Sequence, residues 1–245
     1  MLGASPYYTA DHEAFRDQLR RFVAKEIAPY ADQWDEAGEF PRELYKKAAD
    51  IGLLGLNFPD EYGGIAADRF YAIIASQELA RGGSGGVAAS LMSHTIGCPP
   101  IAKLSSAHLK QKVLPGVLAG EKISALAITE PGGGSDVANL KTTAKRDGDY
   151  YVLRGEKTFI TSGLRADYYT VAVRTGDPGM DGISLLLVER DTPGFTRTGL
   201  RKMGWWASDT ATLHFDDCRV PAENLIGAEN RGFIGIMLNF NDERL

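Results

Sequence analysis

Residues Thr129-Glu130-Pro131-Gly132-Gly133-Gly134-Ser135-Asp136 bring together what an anionic or flat aromatic ligand needs: backbone N–H groups that no side chain shields, flanked by the hydroxyls of Thr129 and Ser135. Glycine reaches positive φ without a Cβ penalty, so such a turn can wrap a phosphate or a flavin edge closely, with Pro131 fixing the approach. A nucleotide P-loop would place Lys-Ser or Lys-Thr after its last glycine and open a helix there, whereas Ser135-Asp136 follows here and the next residues alternate like strands. A dinucleotide fingerprint also fails, because glycines spaced one and then three apart at the start of a helix are absent. Taken alone, a triple-glycine turn reads as loop punctuation. The neighbour that changes this reading is Gly155-Glu-Lys-Thr-Phe-Ile-Thr-Ser-Gly163, one hairpin later, which brings an aromatic ring and hydroxyls.

The ordered pair of motifs, Thr-Glu-Pro-Gly-x-Gly-Ser-Asp and then Gly-x-Lys-x-(aromatic)-Ile-Thr-(Ser/Asn)-Gly, resembles the acyl-CoA dehydrogenase family of FAD enzymes. The likeness extends upstream to Phe58-Pro-Asp-Glu-Tyr-Gly-Gly64 and downstream to Lys202-Met-Gly-Trp-Trp-Ala-Ser-Asp-Thr210, Phe215-Asp-Asp-Cys-Arg-Val-Pro221 and Asn224-Leu-Ile-Gly227. These signatures lie in register and cover nearly the whole chain. Trp206 departs from the pattern, at a position where many members carry Arg or another polar residue.

The resemblance implies FAD-dependent α,β-dehydrogenation of an acyl-CoA thioester to the 2-enoyl-CoA. A carboxylate takes the Cα proton, Cβ gives a hydride to flavin N5, and an electron-transfer flavoprotein receives the electrons. Carried over residue by residue, Leu126, Ala127, Ile128, Thr129, Gly132, Gly133, Gly134 and Ser135 would line the flavin. Thr129 would bond its ring system, and Ser135 would reach both flavin phosphate and substrate. Phe159, Ile160 and Thr161 would flank the isoalloxazine, where an aromatic packs a π-face and a hydroxyl polarises the hydride acceptor. Without the resemblance, Phe159 reads as an ordinary inward strand residue and Thr161 as the close of a turn.

The base is placed by the same likeness. In isovaleryl- and long-chain-type branches it lies on the helix matching Phe240-Asn-Asp-Glu-Arg-Leu245, which makes Glu243 the candidate, with Asn241 and Arg244 as weaker substrate contacts. In other branches it lies in a C-terminal helical domain that completes the flavin site and forms a tetramer core. The chain reads as stopping inside the first helix of that domain, at Leu245. Residue by residue, Glu243 is equally a solvated helix carboxylate. An oxidase or monooxygenase on the same fold, and a non-catalytic acyl-CoA-binding fragment, are the alternative readings, since family resemblance fixes a fold better than a reaction.

The elements that must hold these residues divide the chain. From Asp11 to Asp35, Phe15, Leu19, Phe22, Val23 and Ile27 recur at three- and four-residue steps, the period of one helical face, with Pro29 kinking the end. A second helix opens at Pro41 and runs through Leu44 and Ala48 toward Gly52, and a third spans Asp68 to Ala80. Ser105 or Ser106 caps a fourth, which Gly120 ends and Pro115 kinks or breaks. Beyond Ile123 the pattern turns to strands: Thr142 to Lys145, Tyr150 to Leu153 across Asp147-Gly148, Asp167 to Arg174, Gly182 to Glu189, Thr196 to Leu200 and Thr210 to Phe215. From Arg231 a helix returns, with Phe233, Ile236, Met237 and Phe240 on one face. The expected fold is therefore α+β: an all-helical domain over 1–122, an antiparallel β-barrel or sandwich over 123–229, and the start of a second helical region over 230–245.

Composition bounds the partners. With 44% hydrophobic and 24% charged residues the chain can bury a sizeable core and is not of disordered type. A formal net charge of -5 argues against a nucleic-acid partner, which would call for a basic face. Cys98 and Cys218 lack redox or metal spacing and read as buried, reduced thiols, while His12, His94, His108 and His214 are too dispersed to suggest a metal. No apolar run approaches a membrane span and no basic-then-apolar leader opens the chain, so a cytoplasmic protein is expected. The implied partners are acyl-CoA, the electron-transfer flavoprotein and further copies in a dimer or tetramer.

Overall fold

The computed structural model describes residues 6–243, and side chains as far as residue 240. They gather into two compact units: residues 6–91 with 118–121 and 202–208, and residues 92–117 with 122–201 and 209–243.

The first unit is helical, with α1 at Ala10–Glu26, α2 at Ala31–Ala37, α3 at Glu43–Asp50, α4 at Arg69–Ala80 and α5 at Gly85–Leu91. Thr9 caps α1 by accepting from the His12 N–H at 3.4 Å while its own N–H donates to His12 Nδ1 at 3.0 Å, a capping box closed by a histidine. The buried face of α1 is the expected one, Leu19, Phe22 and Val23, with Ile27 just past its end. The expectation of one helix to Asp35 is corrected: around Pro29, which has no N–H to donate, the chain passes through a 3₁₀ turn at Ala28–Tyr30 before α2 begins. Pro41 likewise lies outside α3, where its carbonyl accepts from the Leu44 N–H. Asp68 caps α4, its carboxylate accepting from the Phe70 N–H at 2.9 Å. In Phe58–Gly64, a 3₁₀ turn at Asp60–Tyr62 is closed by the Gly64 N–H on the Pro59 carbonyl.

Two polar constructions brace this unit. Glu78, only 1% exposed, accepts from Arg20 Nε at 3.0 Å, Arg20 Nη2 at 2.9 Å and Arg16 Nη1 at 3.4 Å, and Arg81 Nε stands 3.1 Å away. Asp35 accepts from Ser84 Oγ at 3.1 Å and from the Ala207 N–H at 2.8 Å, which anchors the 202–208 segment. There Trp206 spends its indole N–H on the Lys202 carbonyl at 2.8 Å.

The second unit opens with α6 at His94–Gly97, α7 at Pro99–Leu104 and α8 at Ala107–Leu118, continues through eight strands and ends in α9 at Gly232–Glu243. Ser106, rather than Ser105, reaches the start of α8, where its hydroxyl accepts from the Leu109 N–H. Pro115 does not break α8, because it falls in the last turn, where it removes only one ladder donor.

The strands are β1 Ser124–Ala127, β2 Thr143–Asp147, β3 Tyr150–Thr161, β4 Tyr168–Arg174, β5 Ile183–Glu189, β6 Phe195–Gly199, β7 Thr210–Pro221 and β8 Leu225–Ile226. They form one sheet in the order β6-β7-β3-β2-β4-β5-β8, an open path rather than a closed ring, with β1 alongside β4. Pairing is mostly antiparallel, but β1 and β2 each meet β4 in parallel. Two expected strands are too short: the runs ending at Leu153 and Phe215 extend to Thr161 and Pro221 because each continues past a bulge. β4 and β5 are buried along almost their whole length, with Val171, Ala172, Val173 and Leu185 to Val188 all at 0% exposure, so they read as unbroken apolar runs. Burying each such large aliphatic side chain contributes roughly 1.5–3 kcal/mol, which makes this pair of strands the rigid floor of the sheet. On α9, Ile236 is buried and Phe233, Met237 and Phe240 are half-buried, the expected stripe.

Candidate functional site

The glycine turn leaves the floor at the end of β1. Ser124 to Ala127 pair in parallel with Tyr168 to Val171, and the chain then runs through Ile128 and Thr129 into Glu130. A tight turn closes on itself as the Glu130 and Gly133 backbones exchange hydrogen bonds, 3.1 Å and 3.0 Å. Pro131 to Asp136 are all exposed, and a Cβ added at Gly132 or Gly133 would meet nothing within 4 Å. Gly134 sits against the Thr129 side chain, where an added Cβ would come within 3.1 Å of its methyl carbon. Among the described residues, the N–H groups of Gly132, Gly134, Ser135 and Asp136 take no hydrogen-bond partner. An open ledge of unpaired backbone donors suits an anionic group.

Underneath this ledge is a buried ion pair. Lys157 Nζ, at 0% exposure, donates to Glu130 Oε1 at 2.8 Å and to the Ile128 carbonyl at 3.0 Å. The Glu130 carboxylate also accepts from the Thr142 N–H at 2.9 Å and the Lys141 N–H at 2.6 Å. Burial pushes the Lys157 ammonium down to about 8, against the smaller opposing pull of Glu130. Burial works to raise the Glu130 carboxyl, but the Lys157 charge and the backbone donors outweigh it and hold the group below the ordinary carboxylate range. Both directions describe a charged pair at neutral pH.

The facing strand is irregular where it matters. In the β3–β7 ladder Lys157 opposes Leu213 and Ile160 opposes Ala211, so Thr158 and Phe159 together stand against Thr212 alone. That is a β-bulge. The extra residue shifts the alternation, which lets Lys157 and Ile160, an odd number of positions apart, both be buried. Phe159 takes up the difference: it adopts φ +59° and its ring is 70% exposed. A bulky side chain in the left-handed region is held there by its surroundings. The Thr158 N–H donates to the Thr129 carbonyl at 2.9 Å, which ties the bulge to the turn. Thr161 ends the strand, and Asp209 fixes the turn that follows: its carboxylate accepts from the Leu164 N–H at 2.7 Å and the Arg165 N–H at 3.2 Å, and its carbonyl accepts from the Ser162 N–H.

Of the candidate flavin residues, Gly132, Gly133, Gly134, Ser135 and Phe159 are exposed, Leu126, Thr129 and Thr161 are half-buried, and Ala127, Ile128 and Ile160 are buried. The turn and the bulge are joined, so most of these residues share one neighbourhood. The side chains of Ala127, Ile128 and Ile160 are buried beneath it. Phe159 is no inward strand residue. Thr158 already spends its hydroxyl on Thr212, 3.1 Å away, whereas the hydroxyls of Thr129 and Thr161 take no partner among the described residues. Exposed backbone donors, a projecting aromatic face and two uncommitted hydroxyls fit a flavin nucleotide. Glu243 lies in the last turn of α9, but its side chain and that of Asn241 lie outside the described residues, as does Arg244.

Sequence reasoning gave no role to Glu130, Lys157 or Asp209. All three stand inside the quoted signatures, so the signal was present, but nothing in a string of letters pairs Glu130 with a lysine 27 positions away. Of the histidines, His12 meets Asp68 at 3.0 Å and His214 meets Glu156 at 3.0 Å. No group of three His, Cys, Asp or Glu among the described residues could hold a metal ion, and no described helix is long and apolar enough to cross a membrane. Cys98 and Cys218 are free and buried, and burial pushes both thiols up to about 12.

Comparison with known proteins matches this architecture. Residues 9–121 match the model of the acyl-CoA dehydrogenase N-terminal domain, and residues 125–218 that of the middle domain. The chain belongs to the acyl-CoA dehydrogenase family. It is 39% identical to the mitochondrial long-chain specific acyl-CoA dehydrogenase of Rattus norvegicus over 248 residues, covering 100% of this chain and 57% of that protein. The crystal structure of a putative acyl-CoA dehydrogenase from Mycobacterium smegmatis superposes with a TM-score of 0.95 at 49% identity, over 98% of this chain and 64% of that one. A glutaryl-CoA dehydrogenase from the same organism, in complex with FADH2, gives a TM-score of 0.89 at 32% identity, over 97% and 60% of the two chains. The chain thus spans about three-fifths of the length of those relatives.

Proposed function

We propose that the whole protein is an FAD-dependent dehydrogenase of acyl-CoA thioesters that forms the 2-enoyl-CoA and passes electrons to an electron-transfer flavoprotein. The observation that carries this reading is the Phe159 bulge set beside the glycine turn, in a family whose glutaryl-CoA relative holds FADH2. Bound there, the flavin would supply the hydride acceptor that no side chain can be. The chain's own residues bind and orient. The ledge at Gly132 to Asp136 takes phosphate, with Ser135 at its rim; the Phe159 ring covers a π-face; the hydroxyls of Thr129 and Thr161 donate to ring heteroatoms. Leu126 lies half-buried in the strand that leads to them. The Cα proton goes to a carboxylate, for which Glu243 on α9 is the proposed residue, with Asn241 and Arg244 toward the acyl-CoA arm. Desolvation of that base by the acyl chain raises its proton affinity toward that of an activated Cα–H. In this reading 1–122 and 230–245 are helical domains, 123–229 is the flavin platform, and a homodimer or homotetramer is the working form.

The test uses the whole polypeptide purified with its flavin. Anaerobic acyl-CoA should bleach the visible flavin band, and Glu243→Gln should slow that bleaching by roughly 10²- to 10⁴-fold with binding retained. A change within a few-fold would exclude Glu243 as the base. Thr161→Val, which removes one hydroxyl at constant shape, should slow the same step about tenfold, and unchanged stopped-flow traces would make that hydroxyl structural.

A further inference from the structure

We infer that Glu130 and Lys157 are positioning residues for the flavin platform, a buried staple that closes the base of the 131–140 loop and fastens it to the bulge carrying Phe159. The inference rests on the flavin reading above. Its geometry is that of a clamp rather than an isolated ion pair. Glu130 stands immediately before the loop, while the N–H groups it accepts, from Lys141 and Thr142, stand immediately after it, so one carboxylate joins the two ends. Lys157 joins that carboxylate and the Ile128 carbonyl to β3, and the adjacent Thr158 N–H holds the Thr129 carbonyl. The two uncommitted hydroxyls therefore sit on opposite arms of the clamp: Thr129 is one residue before Glu130, and Thr161 is four residues after Lys157 on the same strand.

The chemistry admits no neutral substitute. A carboxylate offers acceptor lone pairs on both oxygens and meets three donors here; an amide at the same place would offer one oxygen and turn its NH2 toward a backbone N–H. Lys157, fully buried, has no water to fall back on. Lys157 is at 0% exposure and the Glu130 side chain at 10%, whereas residues 131–136 of the loop they pin are all exposed. Fixing a loop in its bound geometry lowers the ordering cost of binding, which is how a staple out of reach of the ligand acts on affinity.

The experiment compares the whole protein with Glu130→Gln, Lys157→Met and the double variant, and reads thermal stability, FAD dissociation constant and flavin absorption spectrum. Lys157→Met preserves volume and leaves the carboxylate its two backbone donors, so it is the variant that keeps its fold. In the double variant no charge is stranded, so stability should recover relative to Glu130→Gln. FAD affinity should not recover: the dissociation constant should stay raised by about 10- to 100-fold in Lys157→Met and in the double variant, with a shifted flavin band. If affinity and spectrum return with stability, or never change, the pair is a core element only and the inference falls. If the unaltered protein takes no FAD at all, the flavin reading fails instead, a result distinct from either.

Discussion

Two buried glutamates show how differently one molecule handles the same charge. Glu78 in the helical unit and Glu130 in the sheet unit are 1% and 9% exposed, and each gathers several donors. Glu78 takes most of its donors from side chains that lead out to water: the Arg20 and Arg81 side chains are 47% and 62% exposed, and Arg16, at 13%, has Glu13 and Gln77 as further partners. Glu130 takes its donors from Lys157, at 0% exposure, and from backbone N–H groups that cannot move away. The first arrangement is a brace between helices. The second is a joint of fully buried and backbone groups, and it sits under a stretch where exposed glycines, a strained aromatic and two hydroxyls without a partner among the described residues coincide.

The contrast predicts unequal costs. Glu130→Gln strands a buried ammonium and should destabilise the protein by about 3–5 kcal/mol, seen as a lower urea midpoint; a loss no larger than for Glu78→Gln would erase the distinction. Glu78→Gln leaves the guanidiniums their water and should cost only about 1–2 kcal/mol. Acid separates the two states of Glu78 further. Hydrogen bonds from Arg20, then the charges of Arg20 and Arg81 and a bond from Arg16, hold its carboxyl below the ordinary 4.5, against burial. The folded chain therefore keeps this group ionised where the unfolded chain has protonated it. Its contribution is complete above about pH 4.5 and disappears as pH falls through the lower folded value, so the gap between the unaltered protein and Glu78→Gln should narrow over that range. Glu130 is held low in the same direction, and a gap that widens in acid would show that the sign is wrong.

Sequence pattern reached these regions unevenly. Helices announce their buried face every three or four residues, so Leu19, Phe22 and Val23 were legible on α1, and Asp147-Gly148 marked the β2–β3 turn, where Gly148 takes φ +58°. A bulge breaks the period of two that identifies a strand, which is why β3 and β7 looked shorter than they are and why the outward turn of Phe159 could not be read. The parallel pairing of β1 and β2 with β4 is non-local, and no local alternation encodes it. The motif letters mark the turn and the strand that faces it, but they are silent on what holds the two together, because the Glu130, Lys157 and Asp209 side chains act through contacts 11 to 45 residues apart.

The central claim is that a flavin lies on the turn and bulge. Hydrogen exchange of the whole protein, measured on the millisecond-to-second scale with and without FAD, tests it most directly. The account predicts slowed exchange in peptides covering 129–136, where the unpartnered N–H groups gain acceptors, and in those covering 157–163, whose bulge the bound ring would cover. FAD bound at full occupancy with those two stretches unchanged would contradict it.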